Sequence, residues 1–457
     1  MVVPVVIICH NNHRYVANTL SQLRALEVTD VRIMNNDSTD KQTLGYLQSL
    51  ESEFKVVIYN EPNTGPWITN TSHVGVYNQL PEQFAMTDPD LQFHPKLTPS
   101  FLQHMLTLSE ELQAYKIGFA LDISEPDKMF PGAYFHGQTI AQWEDKFWKT
   151  RIPHDRFELY DNQIDTTFCL VNKKYLHGRS VRMAGDFLAK HLPWYPLQSV
   201  LSLREQFDLA AQQTTAFSSV ATVVKAYVTD QFVTVRKNEQ TILIRKRADD
   251  PNIGFWTNIY AHWEPETFRV MDKFLSKDKV FLDIGGWIGT TCIYGAAKSQ
   301  RVLVVEADPG SQTDLKLNAS VNCTNVTLVP LAIYHLDDEK LHFGKNTFLP
   351  GSKLNDSTSQ IQEQAAGTVS VTTIRVPTLL KRYEVRNDRL ALVKVDVESA
   401  EEFILDDLLD LPVPLYISFH YTWWKDKNLD RFSRLTSDQK ELIRQQPFTS
   451  ILFHAQL

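Results

Sequence analysis

A chain of 457 residues exceeds what one ordinary hydrophobic core organises, so its length predicts two domains of roughly 200 residues each. With 43% hydrophobic and 22% charged residues the composition is that of a soluble globular protein, and a net charge of −8 argues against a dedicated nucleic-acid binder, which carries a basic face. No apolar run approaches the ~20 residues of a membrane span. The four scattered cysteines form neither a CxxC pair nor a Cys/His metal pattern, which reads as reduced thiols in a cytoplasmic protein.

Strand-like runs alternate with amphipathic stretches along the chain, the signature of an α/β architecture. Val3–Cys9 reads as a buried first strand rather than a signal peptide, because no basic leader precedes it and His10-Asn11-Asn12 follows at once. Tyr15–Ala25 has helical spacing, and Val31–Met34, Val56–Tyr59 and Gln83–Thr87 read as further strands. The second strand runs into Asn35-Asn36-Asp37-Ser38, and the last into Asp88-Pro89-Asp90. Two carboxylates one residue apart after an apolar strand suit a hard divalent cation, which in turn clamps a diphosphate leaving group. Alone, such a pair is usually only a turn. A helix near Leu203–Gln212 gives way to a polar stretch, and Val220–Val228 reads as renewed strand patterning. The domains are therefore expected at residues 1–215 and 216–457. Phe232–Arg236 and Thr241–Arg245 predict a β-hairpin, and the polar run Lys353–Gly367 a mobile loop.

The sharpest motif is Val280-Phe281-Leu282-Asp283-Ile284-Gly285-Gly286-Trp287-Ile288-Gly289. A buried strand ends in an acid, and a glycine-rich turn opens the helix expected at Thr290–Ala297. Glycines let the backbone pass close to a ligand, and the helix start offers free N–H groups. The next strand, Arg301–Val305, ends in Glu306, where an acid can accept hydrogen bonds from both hydroxyls of a ribose. The spacing G-G-x-x-G after Asp, rather than G-x-G-x-x-G, favours S-adenosylmethionine (SAM) over NAD. The two Tyr-x-x-x-Lys pairs, Tyr294 with Lys298 and Tyr421 with Lys425, fit a hydride-transfer site poorly. A third strand, Leu392–Val395, runs into Asp396-Val397-Glu398-Ser399-Ala400-Glu401, and buried strands rarely end in so much charge unless they line a site.

Together, Asp283–Gly289, Glu306-Ala307-Asp308-Pro309 and Lys394–Glu401 resemble the FkbM family of SAM-dependent O-methyltransferases. The resemblance spans about Phe255 to His420. His262–Thr267, with Glu264, is similar to the segment preceding the first strand, and Asn318 and Asn322 fall where the family has asparagines. Gly286-Trp287 stands where Ala-Asn is usual, and Ser399 where Gly is usual. The resemblance implies a class I methyltransferase fold with Asp283, Gly285, Gly289, Glu306 and Glu264 around SAM. Methyl transfer from a sulfonium to a hydroxyl needs alignment of oxygen, methyl and sulfur, and a group to take the proton. Asp396, Glu398 and His420 are the candidates to hold the hydroxyl or act as base. The competing reading pairs Lys394 with Glu398 or Glu401 in a structural salt bridge and makes His420 a core histidine.

In the first half, Cys9-His10-Asn11-Asn12, the Asn-Asn-Asp-Ser turn, Asn60-Glu61-Pro62-Asn63-Thr64-Gly65-Pro66 and Asp88-Pro89-Asp90 keep an order that resembles GT-A glycosyltransferases near family 2, over about Pro4 to Pro196. That likeness implies donor contacts from His10, Asn35, Asn36 and Asp88, and a metal, Mn²⁺ or Mg²⁺, on Asp90 and His191. Asp165, within Asp161–Phe168, becomes the base of an inverting transfer, with Asp122 a weaker candidate near the acceptor. Asn35 and Asn36 stand where an Asp often meets the base; asparagine keeps an acceptor and adds donors. The expected protein is a bifunctional glycan-modifying enzyme that takes a nucleotide diphosphate sugar and a glycan acceptor. Its rival is a single methyltransferase whose first domain only binds glycan or nucleotide.

Overall fold

The computed structural model of the protein describes residues 2–212, 219–248, 250–345, 357–362, 368–398, 400–420, 435–445 and 449–453. They form two compact units, Met1–Leu201 with Gln206–Tyr227, and Ser202–Glu205 with Val228–Leu457. The expected boundary at 215/216 lies outside the described residues, as do Ser399, Tyr421 and Lys425. Among the described residues no helix is long and apolar enough to cross a membrane.

The first unit is built on one large sheet. Val57–Glu61, Val31–Asn36, Val5–Cys9 and Gln83–Thr87 lie side by side in parallel. Next comes Cys169–Asn172, antiparallel to both neighbours, then Lys116–Leu121 and the long strand Ser180–His191. Strand order reverses between Val5–Cys9 and Gln83–Thr87. A crevice outside the carboxyl ends of parallel strands at such a reversal is where ligands bind in open α/β sheets. His10 and Asp88 immediately follow those two strand ends. A register shift between Met183 and Leu188, around Gly185 at φ 65°, bends Ser180–His191 so that its end pairs with Leu91–Phe93, His191 opposite Leu91.

The second unit carries a sheet in the order Val326–Val329, Arg301–Val305, Val280–Ile284, Leu390–Val395, Leu415–Phe419 and Thr449–Phe453, all parallel except the last. Both faces are covered, which explains the continuous apolar runs. Leu282, Ile284, Val393 and Val395 pack with Leu379 and Ile404 on one side. Phe281, Val302, Val304 and Leu392 pack with Trp256, Tyr260 and Ile293 on the other. Ala332–Ile333, Val369–Ile374, Lys340–Gly344 and Gln360–Gln362 form a separate small sheet. The two halves of the sequence are thus Rossmann-like α/β sheets.

Two expectations are corrected. Ser219–Gln231 is a helix, not a strand: Ala221, Val224 and Val228 are buried at helical spacing, which prevails over the β-branched composition. Within the expected loop Lys353–Gly367, Gln360–Gln362 is a strand paired with Lys340–Gly344, because Ile361 has an apolar surface to cover. The hairpin Phe232–Lys237 and Gln240–Arg245 is present, closed by Asn238-Glu239 with Asn238 left-handed at φ 51°.

Candidate active sites

In the second unit the glycine turn sits where Val280–Ile284 and Leu390–Val395 end side by side. Gly285 has φ +83°, and a Cβ there would collide with the Asp396 carbonyl, so only glycine lets the two strand ends approach. The N–H groups of Gly285 and Gly286 both bond the Val305 carbonyl, at 2.9 and 3.2 Å. Gly289, at φ +99°, opens the helix Thr290–Ala296, and Asn318 pins the turn from behind by donating to the Ile288 carbonyl at 3.0 Å. Asn322 instead ties its helix to Leu243 of the hairpin, at 2.8 Å to both N–H and carbonyl.

These strand ends border a cavity of about 460 Å³, within the ~300–1,000 Å³ common for small-molecule sites. Glu264, Gly285 and Glu306 line it; Asp283 and Gly289 do not. Asp283 is wholly buried, accepts the Thr291 hydroxyl at 2.6 Å and lies 3.6 Å from Lys394 Nζ, so it braces the strand ends. Glu306 accepts the backbone N–H groups of Trp287 and Asp308, one on each oxygen, at 2.7 and 2.8 Å. A carboxylate has about four acceptor positions, which leaves room for two ribose hydroxyls.

Burial, opposed by those two N–H groups and by Lys394, pushes the Glu306 carboxyl up to about 7. Hydroxyl donors bind the ionised form, so if Glu306 holds the ribose of SAM, SAM affinity should fall as pH drops through 7, about tenfold per unit below it. Calorimetry between pH 6 and 8 checks this, and Glu306→Gln should flatten the slope while weakening binding.

The third strand end supplies the acids. Lys394 Nζ lies 3.4 Å from Asp396 and donates to the Gly285 carbonyl at 3.1 Å, which corrects the pairing with Glu398 or Glu401. His420, at the end of Leu415–Phe419, places Nε2 at 3.1 Å from Asp396 and 3.3 Å from Glu398, while Nδ1 faces Glu401 at 2.8 Å. Burial opposes charge on both His420 and Asp396, but their mutual contact, with Glu401 and Lys394, outweighs it. The imidazole is raised well above its usual range and the Asp396 carboxyl held well below. His420 is therefore bound by three carboxylates, unlike a core histidine. Glu264 at φ 42°, Trp287 at φ 44° and Glu398 at φ 48° all line the cavity in the left-handed region. For non-glycine residues this costs on the order of 1–3 kcal/mol each and gathers at functional sites. Trp287 packs edge-on against Phe255, ring centroids 4.9 Å apart, and so puts an indole where the family has an asparagine.

In the first unit the paired strands Leu91–Phe93 and Ser180–His191 bring Asp90 and His191 together, Oδ2 to Nε2 at 3.5 Å. Asp90 Oδ1 and His191 Nδ1 are buried with no hydrogen-bond partner. Asp88 lies deep beside them, bonded by the Thr166 hydroxyl, and its pKa is raised well above the usual range by desolvation and then by the Asp90 charge. A buried carboxylate oxygen and a buried ring nitrogen that lack partners, beside a second carboxyl, suit a divalent cation, so Asp90 and His191 fit the metal role. Asp165 is exposed and receives the Trp67 indole N–H at 2.5 Å. His10 Nδ1 is 2.8 Å from the Asn36 carbonyl oxygen. Asn35 donates to Asn60 at 2.9 Å and accepts from the Ser38 N–H at 3.1 Å. Asn36 donates to Asn63 and Gly65 but keeps a buried, unpartnered Oδ1. Asp122 caps its own loop by accepting the Ser124 N–H at 2.9 Å.

Sequence reasoning missed Thr166, Trp67 and the partnership of Glu401 with His420. Glu401 and Thr166 stood inside segments already singled out, Lys394–Glu401 and Asp161–Phe168, whereas nothing in the pattern around Trp67 distinguishes it from loop residues.

A glycine cradle, a buried acid at the next strand end and an acid–histidine group over one cavity define a nucleotide-cofactor site of the methyltransferase kind. The family model of the methyltransferase FkbM domain matches residues 283–442, so the second unit carries a domain of that family. No curated protein matches the chain. Among solved structures, a mannosyltransferase from Pyrobaculum calidifontis in complex with GDP-Man and Mn²⁺ is 13% identical over 49% of this chain and 68% of its own, with a TM-score of 0.28. Precorrin-6y C5,15-methyltransferase from Geobacter metallireducens is 15% identical over 36% of this chain and 67% of its own, with a TM-score of 0.22.

Proposed function

We propose that the chain is a bifunctional glycan-modifying enzyme: the first unit transfers a sugar from a nucleotide diphosphate donor to a glycan, and the second methylates a sugar hydroxyl. The transferase half rests on one observation above others. Asp90 and His191, a hundred residues apart in sequence, meet at 3.5 Å beside Asp88 at the strand-order reversal. A divalent cation supplies neutralisation of the departing diphosphate when bound, and Asp90 and His191 are the residues to hold it. Asn36 offers its unpartnered oxygen to the base. Asp165, oriented by Trp67, takes the proton of the acceptor hydroxyl.

For the methyltransferase half, SAM supplies the methyl group when bound. Glu306 holds the ribose, and Gly285 keeps the strand ends close. Asp396, Glu398 and His420 hold the acceptor hydroxyl, and the Glu398 carboxylate receives its proton as the oxygen–methyl bond forms and the methyl–sulfur bond breaks. The test is thermal shift against a panel of nucleotide diphosphate sugars with Mn²⁺, followed by hydrolysis of whichever binds. Metal-dependent stabilisation with slow hydrolysis is expected. Binding without hydrolysis or transfer would favour the non-catalytic module, and no response to any donor would end the transferase reading.

A further inference from the structure

Asp396, Glu398 and His420 each offer one ligand atom, and these atoms lie within 4.8 Å of one another on the cavity wall. We propose that they hold a first-row divalent cation, distinct from any at Asp90 and His191, which binds neighbouring hydroxyls of the sugar to be methylated. The proposal rests on the methyltransferase reading above.

Glu401, wholly buried, accepts from His420 Nδ1 at 2.8 Å, and its other oxygen, Oε2, is buried with no partner. A carboxylate behind one ring nitrogen turns the other outward, the usual arrangement behind a metal-bound histidine. Here the outward nitrogen is Nε2, already 3.1 Å from Asp396 Oδ1 and 3.3 Å from Glu398 Oε1. Lys394 does not occupy the ligand position, since it approaches the opposite Asp396 oxygen, Oδ2, at 3.4 Å. The cavity wall is rich in carboxylate oxygen, the ligand type that hard and borderline divalent cations take: Asp308, Asp396 and Glu398 line it, with Lys394 the one lysine among its described residues. Mixed carboxylate and imidazole ligands suit manganese, iron or zinc better than calcium. Three protein ligands leave positions open on an octahedral ion, enough for two adjacent hydroxyl oxygens. The chemical class of acceptor is then a sugar with a vicinal diol.

Mn²⁺ binding, counted by electron paramagnetic resonance on the full chain carrying Asp90→Ala, tests this. One Mn²⁺ per chain is expected. Glu398→Gln and His420→Gln should each weaken it at least tenfold, and Glu401→Gln, acting through His420, roughly 10–100-fold. A melting curve like that of the parent shows that a variant has folded, and the separate substitutions guard against one that has not. If the parent binds SAM but no Mn²⁺, or if neither Glu398→Gln nor His420→Gln alters Mn²⁺ binding, the cation site is wrong. Failure of the parent to bind SAM would overturn the underlying reading and the inference with it.

Discussion

Gly285→Ala is expected to weaken SAM binding severely while leaving the sugar-nucleotide response of the first unit in place. Alanine at φ +83° meets a left-handed penalty of ~1–2 kcal/mol. Its methyl would also overlap the Asp396 carbonyl, which belongs to the neighbouring strand end and not to a side chain that can rotate away. Relief requires the ends of Val280–Ile284 and Leu390–Val395 to part, and that displaces Asp396 from Lys394 and His420. Calorimetry should show SAM affinity lowered by on the order of 100-fold or more, about 3 kcal/mol at ~1.4 kcal/mol per tenfold. Retention of tight binding would mean that the turn is only a structural bend.

Asp90→Ala is expected to remove metal-dependent binding of the nucleotide sugar, lowering apparent affinity in Mn²⁺ by roughly 100-fold or more. It should do so without lowering the melting temperature. Asp90 raises the cost of charging Asp88, so its removal relieves a like-charge contact. If the 3.5 Å pair with His191 were instead a structural salt bridge, the variant would melt lower and nucleotide binding would be unchanged. The two outcomes point in opposite directions in both measurements.

Much of the second site was legible because its chemistry is local in sequence. The glycines, Glu306 and the Lys394–Glu401 block each sit at a strand end, and a strand end marked by charge or glycine stands out against apolar runs. Long-range pairings were not legible. Lys394 meets Asp283 and Asp396 rather than Glu398 or Glu401, because adjacent parallel strands bring Asp283 and Lys394 into register. Asp283 has the sequence look of a ligand, yet complete burial against Thr291 and Lys394 gives it a bracing role. The Trp287 position illustrates the same limit. Its residue type departs from the family, but its left-handed backbone and its N–H bond to Glu306 keep the turn's geometry. In the first unit, the likeness to GT-A glycosyltransferases implied that Asp90 and His191 belong together, and the bulged strand ending at His191 supplies the physical means. The segment 219–231 was misread because β-branched residues imitate a strand when the helical spacing of three buried positions is overlooked.

Two independent sites on one chain is the central claim, and one calorimetric experiment addresses it directly. The full chain is titrated with S-adenosylhomocysteine, then, at saturation, with the sugar nucleotide selected by thermal shift in Mn²⁺. One equivalent of each should bind, with the second affinity the same whether or not the first ligand is present. Competition between the two ligands, or binding of only one of them, would contradict the account.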